Sequence, residues 1–430
     1  MHPSGFSCVF PKVSNSKSLQ ILRSNRTICM MWIERTLEIR VRRLAATRPA
    51  VVLTGARQTG KTALARRLFP SHHYVSLDLP SEATQAEHDP QAFLDRHPFP
   101  LIIDEVQYAP GVLRHLKRVI DEHRSGRGLF VLTGSQPFTL MQGVAESLAG
   151  RAGIVNIEGL SYVEARAAHP DLPLGEVLLR GGYPELYADP TINRTEFMRS
   201  YVATYLERDL RSQLRVGSLR DFERFLRAAA LRSAQLLNKA ELARDVGISG
   251  STAGEWMTML ERGGIVTLLE PWFMNRGKSL VKTPKLYFLD TGLCSFLMGL
   301  GDARDLAASP LIGAVWETYV CGELRRQLAE EESPRQLHFW RDRSKEADFL
   351  IHSGGRFVLA DAKWSELPDT TDATRLVRVR NELPPDCVKR AAIVCRTANR
   401  HPLFTRAGDI IEAIGLGDLP TWLSKDNGND

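Results

Sequence analysis

A phosphate-binding loop constrains the fold of this 430-residue chain more than any other feature. Residues 55–62 read Gly-Ala-Arg-Gln-Thr-Gly-Lys-Thr, a complete G-x-x-x-x-G-K-[ST] pattern, and the apolar run 51–54 precedes them. Such a loop lies between a strand and a helix, whose N-terminus faces the bound phosphate. A chance match to its four fixed positions is expected in only about one chain in a hundred of this size. The loop therefore predicts an α/β fold with a nucleoside triphosphate site.

The residue types of the loop suit a triphosphate bound together with Mg²⁺. Glycine at positions 55 and 60 lets the backbone curl closely round the phosphates. Lys61 would reach the β- and γ-phosphates, and the Thr62 hydroxyl would ligate Mg²⁺. We expect the nucleotide to contact the loop and the first turn of its helix: Gly55, Ala56, Arg57, Gln58, Thr59, Gly60, Lys61, Thr62 and Ala63.

A second apolar run, 101–104, ends in the acids Asp104 and Glu105. Asp104 at the tip of this strand would complete the Mg²⁺ shell, and Glu105 would polarise the attacking water. Together with the loop, the two acids predict hydrolysis of the triphosphate. If Glu105 is only a surface acid, the site binds without hydrolysis. We expect ATP rather than GTP, because no N-K-x-D guanine motif occurs in a suitable place.

Strands and helices alternate over residues 50–157, which predicts a parallel sheet covered on both faces. Ser135 follows the strand after the acidic one and would lie beside the γ-phosphate. A helix predicted over 138–149 ends just before Arg151, which in a ring or dimer could enter a neighbour's nucleotide site as an arginine finger. The alternative role for Arg151 is a cation at a helix C-terminus, which the helix dipole favours.

Composition narrows the class of protein. A hydrophobic fraction of 43% and a charged fraction of 25% are ordinary for a globular protein, and no apolar run reaches bilayer length. The six cysteines show no C-x-x-C and no metal-ligand spacing, so we expect reduced thiols and a cytoplasmic location without a membrane. The net charge of +6 permits a DNA partner without establishing one. Residues 1–30 contain no acid, and we expect this extension to be poorly ordered.

The middle of the chain predicts helices and then a winged helix-turn-helix. Residues 161–235 have a helical pattern with a break at 180–184, where Gly-Gly and Pro indicate a tight loop. Two short helices follow at 238–247 and 252–262, the second capped by Ser251, and two strands at 265–270 and 285–289 form a wing. The second helix would enter a DNA major groove, or the module would instead serve as a lid or subunit contact.

The C-terminal third carries a second set of acids. Glu317 lies on a predicted helix, Asp348 begins one strand, and Asp361 ends the next in an Asp-x-Lys with Lys363. This order and these element types predict a PD-(D/E)xK nuclease core. Asp348 and Asp361 would hold Mg²⁺, Glu317 would be a further ligand, and Lys363 would position the water. The alternative is that these residues are ordinary charges at strand ends.

From about residue 31, the chain resembles the prokaryotic AAA+ ATPases that carry a C-terminal nuclease-like domain. The carrying stretches include residues 54–62, 102–107, 132–135, 146–151, 181–185, 287–292 and the acids at 348 and 361. The family usually has Glu rather than Asp before the x-Lys, so Asp361 departs from its pattern. The resemblance implies Pro184 near the nucleotide and homo-oligomers, with a hexameric ring favoured.

The resemblance implies an α/β protein of several domains: a P-loop AAA+ parallel-sheet domain over 31–160, a helical lid over 161–235, a winged helix-turn-helix over 236–295 and a restriction-endonuclease-like α/β domain over 296–425. Two hypotheses for its function stay open. One is an ATP-driven enzyme that processes or remodels DNA ends, forks or junctions, with or without nuclease activity. The other is a nucleotide-gated signalling or defence switch whose tail binds a partner or nucleic acid without cutting.

Overall fold

The computed structural model describes residues 31–135, 143–144, 146–205, 219–273, 283–331, 334–342 and 344–424. The predicted extension 1–30 and half of the helix predicted over 138–149 lie outside these ranges. From Trp32 onward the chain forms one compact unit. No helix in the described ranges is both long enough and apolar enough to cross a membrane.

Five parallel strands form the first sheet. They are β1 Ala50–Thr54, β2 His73–Ser76, β3 Leu101–Asp104, β4 Phe130–Gly134 and β5 Ala152–Asn156. Their order is β2-β3-β4-β1-β5. Every residue of β1, β3 and β4 is buried, because helices cover both faces of the sheet. The parallel-sheet prediction is confirmed, and the phosphate loop, Asp104 and Ser135 all lie at the C-terminal edge of the strands.

Five α-helices lie within residues 31–129, which the structure describes without a gap. They are α1 Glu38–Thr47, α2 Lys61–Leu68, α3 Pro80–His88, α4 Pro90–Arg96 and α5 Val112–Glu122. The apolar face predicted for α5 is buried, because its apolar residues recur at helical spacing and point at the sheet. A short 3₁₀ turn, Val106–Tyr108, follows Asp104 at the end of β3 and Glu105 directly after it.

Helices dominate the next segment, as the sequence predicts. They are α6 Tyr162–Ala168, α7 Leu174–Arg180, α8 Glu185–Ala188, α9 Arg194–Tyr205 and α10 Leu219–Ala230. Ser161 and Glu164 form a capping box at the start of α6. The tight loop predicted at 180–184 lies between α7 and α8, and Gly181 there has a φ of +63°.

Helices α11 Lys239–Val246 and α12 Gly250–Arg262 lie between the first and second strands of a small antiparallel sheet. Its order is β6-β8-β7, with β6 Gln235–Leu236, β7 Val266–Leu269 and β8 Lys285–Phe288. The cap predicted for the second helix is wrong by two residues. Ser249 rather than Ser251 caps α12 by accepting from the Thr252 N–H, because the helix already begins at Gly250.

The C-terminal segment forms a six-stranded mixed sheet. Its strands are β9 Gln336–Asp342, β10 Lys345–Ser353, β11 Arg356–Ala362, β12 Val388–Val394, β13 His401–Phe404 and β14 Ile410–Ile414, in the order β13-β14-β12-β11-β10-β9. The helices are α13 Thr291–Leu297, α14 Ala303–Ala308, α15 Ile312–Glu330, α16 Thr370–Arg380 and α17 Leu419–Ser424. Phe349 of β10 is opposite Ala360 of β11, so Asp348 and Asp361 lie side by side.

Candidate nucleotide site and carboxylate cluster

The phosphate loop has the backbone that its glycines predict. Gly55 has a φ of +137° and Gly60 a φ of +88°, which side chains rarely tolerate. A Cβ atom at Gly55 would lie 2.2 Å from the carbonyl oxygen of Ile157. Gln58 also has a positive φ of 60°, an uncommon conformation outside glycine. The loop is therefore held in one shape at the start of α2.

Lys61 is buried inside this loop, with 6% of its surface exposed. Its Nζ donates to the carbonyl oxygens of Gly55 and Ala56, at 3.1 and 2.5 Å. Burial lowers the pKa of Lys61 to about 8, although the charges of Glu105 and Asp104 oppose that shift. A phosphate in the loop would give this ammonium an anionic partner.

Asp104 accepts hydrogen bonds from three hydroxyl groups. The Thr62 hydroxyl donates to Oδ1 at 2.8 Å, and the Tyr74 hydroxyl donates to Oδ2 at 2.9 Å. Thr133 also donates to Oδ1. The two predicted Mg²⁺ ligands, Thr62 and Asp104, are thus in direct contact, on α2 and β3. Tyr74 and Thr133 were missed in the sequence, where only their positions in or at the end of a strand were available as a signal.

Glu105 is held against the strand that precedes Ser135. Its Oε2 accepts from the Ser135 hydroxyl at 2.8 Å, from the Ser135 N–H at 3.3 Å and from the Gln107 side chain. Burial alone would raise the pKa of Glu105, but the bonds from Gln107 and Ser135 and the charge of Lys61 outweigh it and lower the pKa. Glu105 is therefore an ionised carboxylate in the site and not a surface acid.

Arg35 braces the phosphate loop from outside, a role that the sequence gave no signal for. Its Nη1 donates to the carbonyl oxygen of Thr59 at 3.1 Å, and its Nη2 donates to that of Glu158 at 2.7 Å. Its Nε forms an ion pair with Glu164 at 3.2 Å, and both side chains are buried. Arg35 thus ties the loop to the residues that follow β5 and to α6.

A cavity of about 310 Å³ lies beside the phosphate loop. Ligand pockets begin at roughly this size. Gly55, Ala56 and Thr59 of the loop line the cavity, together with Gly264, Ile265 and Thr267, which follow α12. The lining also includes Asn156, Glu158, Gly182, Tyr183, Tyr201, Glu261, Asp290, Leu293 and Arg325.

Pro184 lies next to the phosphate loop, and its contact with a nucleotide stays a prediction. A Cβ atom at Gly60 would lie 3.8 Å from the Pro184 Cγ. The segment after α12 also approaches the loop, since a Cβ atom at Gly264 would lie 3.5 Å from that of Ala56. The end of α12 therefore faces the nucleotide cavity.

Arg151 lies at the opposite edge of the parallel sheet from the phosphate loop of its own chain. It directly precedes β5, and its carbonyl oxygen accepts from the Ala50 N–H at the start of β1. Its guanidinium forms a two-point ion pair with Asp121, at 2.8 and 3.0 Å. Its guanidinium therefore lies away from the nucleotide site of its own chain, and the predicted arginine-finger role stays a prediction.

Two of the predicted C-terminal acids, together with Glu346, surround a lysine from the small antiparallel sheet. Lys285 of β8 has its Nζ 3.0 Å from Glu317 Oε1, 3.3 Å from Asp348 Oδ1 and 2.7 Å from Glu346 Oε1. Tyr287, also on β8, donates its hydroxyl to Glu317 at 2.6 Å. The signal that sequence reasoning missed is a single lysine at the start of an otherwise apolar strand.

Asp348 and Asp361 anchor each other's strands. The Asp348 N–H donates to Asp361 Oδ1 at 3.0 Å, and the Ala362 N–H donates to Asp348 Oδ2 at 3.1 Å. Burial and the charge of Asp348 raise the pKa of Asp361, and the same two causes raise that of Glu317. Burial would lower the pKa of Lys363, but Asp348 and Asp361 raise it.

A groove of about 1000 Å³ opens over this cluster. Its basic lining residues are Lys285, Arg341, Lys345, Lys363, Arg375 and Arg378. The metal-ligand prediction for Glu317, Asp348 and Asp361 stays a prediction. Within the described ranges, no group of three or more His, Cys, Asp or Glu side chains has an arrangement that could hold a metal ion.

Three family models match the chain. An AAA domain matches residues 47–166, a domain of unknown function (DUF8612) matches 173–304, and another domain of unknown function (DUF4143) matches 312–418. Among solved structures, the Walker-type ATPase of Pyrococcus abyssi is similar to this chain, with 16% sequence identity and a TM-score of 0.43. The similar region covers 62% of this chain and 96% of the Pyrococcus protein.

Two uncharacterized mycobacterial proteins are similar over nearly their whole length. They are Rv2008c of Mycobacterium tuberculosis and Mb2031c of Mycobacterium bovis. Each is 32% identical over 414 residues, which cover 93% of this chain and 88% of the relative. The AAA match coincides with the parallel sheet and its phosphate loop, so the ATPase-like domain rests on both fold and family. The chain belongs to the same family of AAA-domain proteins as these two mycobacterial relatives.

Proposed function

We propose that this protein hydrolyses ATP with Mg²⁺ and acts on DNA. The observation that carries the first part is the contact between the Thr62 hydroxyl and Asp104 at 2.8 Å, beside the ionised Glu105. Mg²⁺ in nucleotide sites typically binds one or two protein groups and the phosphate oxygens, and this pair fits that need. Bound Mg²⁺ would neutralise charge on the phosphates.

Each residue of the site then has a separate task. The backbone of residues 55–60 and the N-terminus of α2 would bind phosphate, and Lys61 would supply charge toward the γ-phosphate. Glu105 would accept a proton from the attacking water. The Ser135 hydroxyl donates to Glu105 at 2.8 Å and would hold that carboxylate in place. The cavity beside Gly264, together with Pro184 next to the loop, supports binding of the nucleotide base in that cavity.

Arg151 supports a site shared between subunits. Since it lies at the far edge of its own sheet, it could complete only a neighbour's site, as a ring or dimer would allow. The Asp121 ion pair would have to open for this, and both side chains are about one-third exposed, so water can replace the bond. A homo-oligomer, with a hexameric ring favoured, is therefore part of the proposal.

The C-terminal groove supports the DNA partner better than α12 does. The exposed side of α12 carries Glu255 and Glu261, which would repel phosphates, and its end faces the nucleotide cavity. The groove instead presents Arg341, Lys345 and two arginines of α16, Arg375 and Arg378. Cations spaced along a groove would bind a phosphate backbone without reading its sequence.

The switch hypothesis is the second candidate. It is favoured by the packing of the α12 end against the phosphate loop, since a module used as a lid is not free to read DNA. In this case the segment 236–295, which the sequence predicts as a winged helix, would respond to the nucleotide. The domain over 296–425, predicted as nuclease-like, would bind a partner without cleavage.

The first experiment measures the ATPase rate of the full chain without DNA and with single-stranded, duplex and branched DNA. Stimulation by any DNA supports the DNA-acting hypothesis. ATP hydrolysis with neither stimulation nor binding leaves the switch hypothesis in place. Mixing Arg151→Ala subunits with Lys61→Ala subunits tests the shared site. If neighbours share the site, some interfaces in a mixed oligomer carry both lesions and others carry none, so activity recovers in part; if Arg151 acts within its own chain, every site keeps one lesion and no activity recovers.

The second experiment tests the groove with a matched pair of variants. Arg375→Gln/Arg378→Gln removes two exposed arginines from α16, one of which pairs with Asp372 three residues earlier. Arg220→Gln/Arg224→Gln removes two exposed arginines from α10, one of which pairs with Asp221 three residues earlier. We expect only the α16 variant to weaken DNA binding and to reduce its salt dependence, by about one unit of slope per lost phosphate contact. Equal weakening by both variants would reject the groove.

A further inference from the structure

The Lys285 ammonium lies between Glu317 and Asp348, two of the acids that the sequence predicts as metal ligands. Its ammonium lies between the carboxylates of Glu317, Glu346 and Asp348, at 2.7 to 3.3 Å from each. An ammonium group has three hydrogens to donate, and here three carboxylates surround it. Only 3% of the Lys285 surface is exposed. Water therefore has little access to the contact, and the lysine is a fixed part of the cluster.

The lysine and the acids come from different parts of the fold. Glu317 lies on α15 and Asp348 on β10, whereas Lys285 begins β8 in the small antiparallel sheet. The position of Lys285 is set by the pairing of β8, where it lies opposite Leu236 of β6 and Leu269 of β7. Tyr287, two residues along β8, binds the same oxygen of Glu317. Two side chains of one strand thus fix this acid.

A divalent cation does not fit the cluster in this arrangement. Mg²⁺ needs oxygen ligands at about 2.0–2.1 Å in octahedral geometry. Glu317 Oε1 and Asp348 Oδ1, which would be its nearest ligands, already contact the ammonium at 3.0 and 3.3 Å. A metal ion bound to both oxygens would lie beside the ammonium, and like charges at such a distance repel strongly. The remaining oxygen of Asp348 accepts from the Ala362 N–H.

We propose that Lys285 is the resident cation of this carboxylate cluster and excludes a divalent metal ion while its ammonium lies between Glu317 and Asp348. The inference goes beyond the proposed function, because it concerns neither ATP hydrolysis nor DNA binding. It has a direct consequence for chemistry in the groove. Metal-dependent cleavage at Asp348 and Asp361 requires β8 to withdraw Lys285 first.

The test measures Mn²⁺ binding by electron paramagnetic resonance on the full chain, without nucleotide or DNA. We expect Lys285→Gln to gain a Mn²⁺ site at least about tenfold tighter than any that the wild type has at the cluster. Adding Glu317→Gln to this variant should remove the gained site. Lys285→Arg keeps the charge and should gain nothing. Lys389→Gln removes an exposed lysine of β12 and is the charge-matched control.

Thermal stability gives a second readout, since a buried acid cluster without its cation destabilises the fold. The melting temperature of Lys285→Gln should be lower than that of the wild type and should rise with Mn²⁺, while the wild type does not respond. If Lys285→Gln folds only when Mn²⁺ is present, the result also supports the proposal. A wild-type Mn²⁺ site that Glu317→Gln abolishes would overturn it. So would a Lys285→Gln protein that gains neither binding nor stability from Mn²⁺. Neither result depends on whether the protein hydrolyses ATP or binds DNA.

Discussion

The two carboxylate sites of this protein differ in where the nearest lysine lies. At the nucleotide site, the Lys61 ammonium donates to backbone carbonyl oxygens of its own loop, and Asp104 accepts from hydroxyl groups. At the C-terminal cluster, the Lys285 ammonium forms ion pairs with the acids themselves. The first site leaves its positive and negative groups apart, as a bound phosphate and metal ion need. The second site has a counter-charge from the chain itself.

The comparison teaches that a set of acids at strand ends does not by itself indicate a metal site. Asp104 ends β3 and Asp361 lies one residue before the end of β11, and both sites have a lysine close in space. What separates them is whether the counter-charge comes from the chain or from a ligand. The two sites are also joined, because β8 carries Lys285 at one end and runs into Leu289 and Asp290, which line the nucleotide cavity.

The largest expected effect is that of Glu105→Gln, which tests whether the first site is catalytic. Loss of a general base typically lowers the rate about 10²–10⁴-fold, and the amide keeps the size of the side chain. We expect kcat for ATP to fall in that range while KM changes little. Glu317→Gln is the matched change at the C-terminal cluster, and we expect it to leave the ATPase rate within about threefold of wild type. Equal losses of ATPase rate in both variants would show that the two sites do not differ in their role in hydrolysis.

Next is Arg35→Met, which removes the brace of the phosphate loop. Because Arg35 and Glu164 are both buried, loss of one partner should lower the free energy of unfolding by about 3–5 kcal/mol. Denaturant titration measures this effect. Arg118→Met breaks an exposed ion pair with Glu122 and should cost less than about 1 kcal/mol. Similar costs for the two variants would show that the loop keeps its shape without Arg35.

Lys61→Met tests the difference between the two lysines directly. Loss of a preorganised charge at the reacting phosphate should lower the ATPase rate about 10²–10³-fold. Burial lowers the pKa of Lys61 to about 8, so its charged form costs stability at neutral pH, and Met should not reduce the melting temperature. Lys285→Gln should reduce it, because that lysine pairs with buried acids. A lower melting temperature for Lys61→Met together with an unchanged one for Lys285→Gln would contradict this difference between the two lysines.

The sequence predicted the first site much better than the second. The loop, Asp104, Glu105 and Ser135 follow from spacing along parallel strands, whose C-terminal ends meet at one edge. The residues that it missed there, Arg35 and Tyr74, act through tertiary contacts that no local pattern encodes.

The C-terminal prediction brought Glu317, Asp348 and Asp361 to one groove, as their order along the chain indicates. It could not include Lys285, because the pairing of β8 decides where that side chain points. The same limit explains the cap of α12. Ser249 and Ser251 are equally good cap residues by type, and only the actual start of the helix at Gly250 chooses between them.

The smallest expected effect is that of Tyr74→Phe, which removes one of the three hydroxyl donors to Asp104. The hydrogen bond is 2.9 Å long, but 39% of the Tyr74 surface is exposed, so water can replace the hydroxyl. We expect the Mg²⁺ concentration for half-maximal ATPase to change only about two- to threefold. The matched change at the other cluster is Tyr287→Phe, which removes a fully buried donor to Glu317. Its effect should appear in the melting temperature rather than in Mg²⁺ dependence, because Glu317 has a resident cation and Asp104 does not.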